Sequence, residues 1–113
     1  MRKKNIANAA YEVATQVRAV EESIDAALTQ LAELQARMVH ARSVTGAGFA
    51  ATHPAFEQLG TATSSLIAAR GGMANCHVAL AESRKTIPGL RTVAIGDDGD
   101  CPPAPSGLLR IVA

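Results

Sequence analysis

Residues 6–41 read IANAAYEVATQVRAVEESIDAALTQLAELQARMVHA. Apolar side chains recur in this stretch at alternating spacings of four and three residues, and neither Gly nor Pro interrupts it. The repeating positions are Ile6, Ala10, Val13, Val17, Val20, Ile24, Ala27, Leu31, Leu34, Met38 and Ala41. This heptad spacing predicts one long amphipathic helix, whose apolar seam must be covered by another helix.

A second heptad seam follows in residues 59–87, and large side chains alternate in it with small ones. Its positions are Leu59, Ala62, Leu66, Ala69, Met73, Cys76, Leu80, Ser83 and Ile87. An antiparallel register that places Leu31 opposite Leu66 also pairs the other large residues of the two seams, since both repeat every seven residues. We therefore predict that protein–protein packing involves Val17, Ile24, Leu31, Met38, Leu59, Leu66, Met73 and Leu80.

Turn signals separate the two seams. Gly46 and Gly48 favour a helix end and a turn, and Pro54 fits the first turn of a new helix. The sequence thus predicts a helical hairpin over residues 1–89, with helix 1 at about 3–43 and helix 2 at about 54–87. Gly71 and Gly72 fall inside helix 2, where they indicate either a tolerated kink or a break into two shorter helices.

The last part of the chain, residues 90–113, is predicted to be an extended arm. Pro88-Gly89 ends the second helix, and three prolines stiffen the segment that follows. An apolar end is unusual for a solvated tail, so we expect it to dock on another chain or on the flank of the hairpin. Its predicted contact residues are Leu108, Leu109, Ile111 and Val112. The predicted fold is all-α, an antiparallel coiled-coil-like hairpin with an extended C-terminal arm.

The composition predicts a thin core. Hydrophobic residues make up 48% of the chain but aromatic residues only 3%, and there is no Trp. Much of the hydrophobic fraction is alanine, which favours helix but buries little area per residue. We therefore expect oligomerisation or a partner to complete the hairpin into a bundle.

Charge and targeting signals favour a cytoplasmic product, or a virion product if a phage encodes it. The net charge of +1 gives no strong field toward nucleic acid or membrane. The basic start, residues 2–4, is followed by polar residues rather than by the apolar stretch of a signal peptide. No apolar run approaches the roughly 20 residues of a membrane span. Two cysteines do not make a disulfide framework.

Several short patterns suggest chemistry, but each has a simpler interpretation. Cys76-His77 lacks the further ligands of a zinc site and fits a small buried thiol beside a flanking histidine. The acidic turn at residues 97–100 lacks the ligand spacing of a calcium loop. Arg70, His77 and Arg84 share one edge of helix 2 and could touch phosphates, but the nearly balanced net charge favours solvated edge charges instead. Helix 1 similarly carries a solvent-facing polar surface, formed by Glu12, Arg18, Glu22, Asp25 and Glu33.

These observations predict no catalytic residues, no cofactor, no metal and no small-molecule substrate. The leading hypothesis is a non-enzymatic structural or assembly protein that self-associates through its hairpin. One concrete version, in which both chain ends are held in an assembly, is a bacteriophage or prophage virion component such as a connector, decoration or fibre protein. The alternative is a small cytosolic adaptor, chaperone or regulator that binds a partner protein through the helical seam.

Overall fold

The computed structural model describes residues 2–89, and these residues are almost entirely helical. Helix α1 spans Arg2–Thr45, helix α2 spans Phe49–Ser83, and a short 3-10 helix, Arg84–Thr86, follows. The described residues contain no strand, and the two long helices form a hairpin, which confirms the predicted all-α fold. The predicted arm and its contact residues, Leu108, Leu109, Ile111 and Val112, lie outside the described residues.

The connection between the helices consists of residues 46–48 and lies within the predicted turn region. Gly46 has a positive φ of 70°, and its N–H donates to the carbonyl oxygen of Arg42 at 3.0 Å. This left-handed cap satisfies a carbonyl at the end of α1, and glycine adopts it without steric cost. The Thr45 hydroxyl donates to the carbonyl of Ala41 at 2.8 Å and so reinforces the same last turn.

Helix α2 begins earlier than the sequence predicts, at Phe49 rather than near Pro54. The carbonyl of Gly48 starts the helix, because it accepts both the N–H of Thr52 at 3.2 Å and its hydroxyl at 3.0 Å. Pro54 consequently lies inside the helix and leaves the carbonyl of Ala50 without its usual amide donor. Ala50 is exposed, so water can satisfy this carbonyl.

Gly71 and Gly72 do not break α2, which remains helical through both residues. A Cβ atom added at either glycine would meet no other atom within 4 Å. Of the two alternatives that the sequence left open, the structure therefore excludes two shorter helices. The two glycines weaken the helix intrinsically without interrupting it.

The described residues divide into two compact units. Unit 1 consists of residues 2–20 and 73–89, and unit 2 consists of residues 21–72. In unit 1, Ile6 and Leu80 pack against buried Ala10. The predicted register, which places Leu31 opposite Leu66, would instead place Leu80 opposite Val17, one heptad further along α1. Gly89, which has a φ of 88°, lies so close to Ile6 that an added Cβ would be 3.4 Å from its Cδ1 atom.

The predicted central positions of both seams are covered. Val17 and Leu59 are buried, and the other six are half-buried: Ile24, Leu31, Met38, Leu66, Met73 and Leu80. In unit 2, Leu31 and Leu66 line the same groove, as their predicted pairing requires. The heptad repeat thus identifies correctly the positions of each helix that face inward.

The remaining seam positions are covered only in part: Ile6, Ala10, Val20 and Ala27 are buried or half-buried, and the others are exposed. Beside its central positions, each helix covers residues on one side and exposes several of the predicted seam residues on the other. The covered residues, which we call the inner edge, are Ala14 and Leu28 on α1, and Thr63, His77 and Arg84 on α2. The exposed residues, which we call the outer edge, are Val13, Leu34 and Ala41 on α1, and Ala62, Ala69, Cys76 and Ser83 on α2. The apolar stripe of α1 is therefore wider than one neighbouring helix can cover.

Candidate interaction surface

Unit 2 carries a shallow, open apolar groove between its two helical segments. It has a volume of about 580 Å³. Helix α1 contributes Ala27, Gln30 and Leu31, and helix α2 contributes Ala62, Ser65, Leu66 and Ala69. On each helix these residues follow the spacing of one helical face, so the groove runs along both helices rather than into the protein.

The lining of the groove suits packing against another apolar surface. Only Gln30 and Ser65 have polar side chains, and the other lining residues are alanine or leucine. Small-molecule sites are usually enclosed and carry several convergent polar groups, which this groove does not offer. A row of small residues flanked by leucines instead resembles the holes into which side chains of a neighbouring helix insert.

Leu34 lies beside this groove on the outer edge of α1. It follows Ala27 by seven residues and Leu31 by three, which places it on the same face of the helix. Its side chain is nevertheless 47% exposed, although the sequence predicts it in the seam. Within unit 2, an exposed leucine therefore stands next to a row of small residues.

A second exposed apolar cluster surrounds the turn. Phe49 is 75% exposed, and the guanidinium carbon of Arg42 lies 5.4 Å from the centroid of its ring. Val39 and Val44 are also exposed near this end of α1. The cation–π contact fixes the first residue of α2 against the last turns of α1. It leaves the other face of the Phe49 ring in contact with solvent.

The charged edge of α2 forms only in part the solvated row that the sequence suggests, since Arg70 is exposed but His77 and Arg84 are not. Arg70 Nε donates to Asp25 Oδ1 at 2.7 Å within unit 2. The pKa of Arg70 is raised, chiefly by this hydrogen bond and next by the charge of Asp25, while Glu21 adds a smaller contribution. His77 and Arg84 are half-buried on the inner edge. Asp25, expected on a solvent-facing surface, is likewise half-buried and ion-paired, so both assignments are corrected.

The environment of Cys76 also differs from the expected one. The sequence suggested a buried thiol, whereas Cys76 is exposed on the outer edge and His77 is half-buried on the inner edge. The two side chains thus diverge, since neighbouring residues on a helix do not face each other. Among residues 2–89, no three His, Cys, Asp or Glu side chains gather where a metal ion could be held.

The length and apolarity of the two long helices bear on whether they could span a membrane. Neither α1 nor α2, as far as residues 2–89 extend, contains a segment apolar and long enough to cross a lipid bilayer.

Comparison of the chain with known protein families, curated proteins and solved structures found no match.

Of the residues that line the groove, the sequence predicts Leu31 and Leu66 as contact residues, but not the small and polar residues beside them. Ala27, Ala62 and Ala69 were assigned to the seam between α1 and α2, yet they line an open surface beside it. Apolar residues flank the central positions of α1 on both sides, as at Ala27 and Leu28. This wide apolar stripe on α1 indicates that two neighbouring helices, rather than one, are needed to cover it.

Proposed function

We propose that this protein is a non-enzymatic assembly protein that self-associates through its helical hairpin. The observation that supports this proposal is that the apolar surface of the hairpin is incompletely covered. The buried apolar residues of the described chain are Ala10, Ala14, Val17, Leu59 and Ala81. The exposed large apolar residues are Tyr11, Val13, Leu34, Val39, Val44, Phe49, Ile67, Val78 and Ile87.

This distribution is unfavourable for an isolated hairpin. Burial of apolar surface stabilises a fold by roughly 25 cal/mol per Å², and alanine offers little area to bury. Several residues that offer a larger area remain substantially in contact with water, among them Phe49 and Leu34. Association with further helices would remove them from water and would add the area that a small helical domain needs.

The groove in unit 2 also supports the alternative of an adaptor that binds a helix of another protein. An open apolar groove between two helices accepts an amphipathic helix of either origin. The virion version of the assembly hypothesis depends on how the chain ends are held. The arm, residues 90–113, lies outside the described residues, so this version stays an expectation from the sequence.

The mass of the purified protein in solution tests the proposal. One chain has a mass of 11.7 kDa. We expect light scattering and sedimentation to give a multiple of this mass, and the thermal midpoint of helix loss to rise with protein concentration, since association stabilises the folded form. A mass of one chain at every concentration, with a constant thermal midpoint, would overturn self-association and favour the adaptor.

A further inference from the structure

We infer that Arg2 and Lys3, at the basic end of unit 1, form a docking site for the acidic segment Asp97-Asp98-Gly99-Asp100 of the same chain. This inference goes beyond the proposed self-association and does not depend on it, since the contact is made within one chain. It follows from three features: the distribution of charge between the units, the position of Gly89, and the length of chain between Gly89 and the acidic segment.

Charge is unevenly distributed between the described parts of the two units. Unit 1 contains six Lys or Arg residues and two Glu residues, whereas unit 2 contains three Arg and five acidic residues. Unit 1 is thus strongly basic, although the net charge of the whole chain is only +1. A concentration of one sign of charge on a small unit attracts a segment of the opposite sign.

Two exposed cations of unit 1, Arg2 and Lys3, can accept an acidic partner. Neither takes part in the ion pairs formed within residues 2–89. Lys85, by contrast, lies 3.3 Å from Glu82, and Arg84 is half-buried and already has a partner. A carboxylate from outside residues 2–89 therefore pairs with Arg2 and Lys3 without breaking a contact of the hairpin.

Arg2 and Lys3 lie on the face of α1 that contacts Gly89, the last described residue. Arg2 precedes Ile6 by four residues and Lys3 precedes it by three, so both share one side of the helix with Ile6. A Cβ added at Gly89 would lie 3.4 Å from the Cδ1 atom of Ile6. Lys4, in contrast, lies roughly 160° around the helix from Ile6. The chain thus continues beyond Gly89 from the side of α1 that carries Arg2 and Lys3.

The length of chain between Gly89 and Asp97 permits this contact and favours it. Eight residues have a reach of up to about 29 Å. Arg2, in comparison, lies only about 6 Å along α1 from Ile6, which Gly89 approaches closely. Tethers this short give effective concentrations on the order of millimolar. A second copy or a separate polyanion has to compete with the tethered segment at its own concentration in solution.

The acidic segment also offers the complementary chemistry. It carries three carboxylates within four residues, and no lysine or arginine occurs between Arg91 and Arg110. Guanidinium and ammonium groups donate strong, charge-assisted hydrogen bonds to carboxylates. The acidic residues of unit 2 are instead spread along both helices, and Asp25 already accepts from Arg70. The segment of the same chain is therefore favoured over unit 2 of a second copy.

Paramagnetic NMR of the full chain tests the contact. Cys101 directly follows Asp100, so a nitroxide attached to Cys101 in a Cys76→Ser variant reports the position of the acidic segment. We expect the amide signals of residues 3–7 to lose most of their intensity at low salt. They should recover at 1 M salt, where the Debye length is only about 3 Å.

Charge variants identify the groups that make the contact. Replacing the three aspartates of the segment by asparagine should abolish the broadening, as should Arg2→Glu/Lys3→Glu. Combining Arg2→Glu/Lys3→Glu with replacement of the three aspartates by lysine should restore it, because the two charges are then exchanged. Arg37→Glu, at an exposed position of unit 2, is the control and should leave the broadening unchanged. Circular dichroism of each variant checks that the helices are retained.

Isotope mixing separates the same chain from a second copy. Nitroxide-bearing chains without isotope label are mixed with isotope-labelled chains that carry no nitroxide, so only contacts between chains cause broadening. Broadening in the single-chain sample that is absent from the mixture, together with its restoration by charge exchange, supports the inference. Equal broadening in the mixture overturns it and assigns the basic end to a second copy.

The absence of broadening in both samples also overturns the inference, and Arg2 and Lys3 would then be open to an external polyanion such as a nucleic acid or an anionic lipid surface. A charge exchange that fails to restore the broadening likewise overturns pairing between these groups. The proposed self-association is judged separately, from the mass in light scattering, so either proposal can fail while the other stands.

Discussion

Arg70 Nε lies 2.7 Å from Oδ1 of Asp25, and this ion pair links α2 to α1 within unit 2. Both side chains are 46% exposed, so water and salt screen the pair. The raised pKa of Arg70 means that the folded state favours its charged form. On the arginine side, this contribution to stability is lost only as the pH rises through the raised folded pKa of Arg70.

The first prediction concerns the strength of this ion pair. In a double-mutant cycle of Arg70→Ala and Asp25→Ala, we expect a small favourable coupling that decreases as salt is added, because the charges are partly solvated. Urea denaturation at low and at high salt measures it. The exposed Lys85–Glu82 pair, at 3.3 Å, is the reference for a solvent-screened contact. A coupling that salt does not change would mean that the Arg70–Asp25 pair is shielded from solvent.

The heptad pattern predicts which positions of each helix are central, but not which edge of a helix faces its neighbour. The heptad repeat identified the central positions of both helices, such as Leu31 and Leu66, because a periodicity of seven is a property of one helix alone. Which edge of each helix faces the other is a property of the pair. Apolar residues flank the seam of α1 on both sides, as Val13 and Ala14 show, so the pattern did not determine the choice.

The predicted start of α2, near Pro54, is also wrong. Pro54 is preferred in the first turn of a helix, and nothing in its immediate sequence excludes a start there. The structure places the start at Phe49, where the Gly48 carbonyl accepts two hydrogen bonds from Thr52 and the Phe49 ring packs on Arg42. The Gly48–Thr52 hydrogen bonds are local to the first turn of α2. The Arg42–Phe49 contact joins the two helices, so it forms only when the chain turns back at residues 46–48.

The second prediction concerns metal. We expect a chelator to leave both the helical signal and the thermal midpoint unchanged, because Cys76 and His77 lie on different edges of α2. Circular dichroism with and without EDTA measures this, with a Cys76→Ser variant as the matched comparison. A loss of helicity in the parent that is absent from Cys76→Ser would show that Cys76 binds a structural metal.

The third prediction concerns the central seam of unit 2. Leu31→Asp should lower the free energy of unfolding by on the order of 2 kcal/mol, because it places a carboxylate between α1 and α2, where Leu31 is half-buried. The matched control Ala36→Asp introduces the same side chain on an exposed face of the same helix and should cost well under half as much. Equal losses in urea denaturation would mean that Leu31 does not pack in the seam.

The last prediction concerns the two glycines inside α2. Gly71→Ala and Gly72→Ala should each raise the free energy of unfolding by about 0.5–1 kcal/mol, since alanine restricts the unfolded chain and favours helix. Both positions are helical, and an added Cβ meets no atom within 4 Å, so the folded hairpin accommodates it without strain.

Gly89→Ala is the matched control for this pair and should be destabilising. Gly89 has a φ of 88°, which alanine adopts at a cost of about 1 kcal/mol or more, and its Cβ would lie 3.4 Å from Ile6 Cδ1. All variants must be compared at one protein concentration, because association also contributes to the measured stability. If Gly71→Ala or Gly72→Ala instead lowered the stability of the assembled protein, the added methyl group would obstruct a contact between chains, and association would then involve this face of α2.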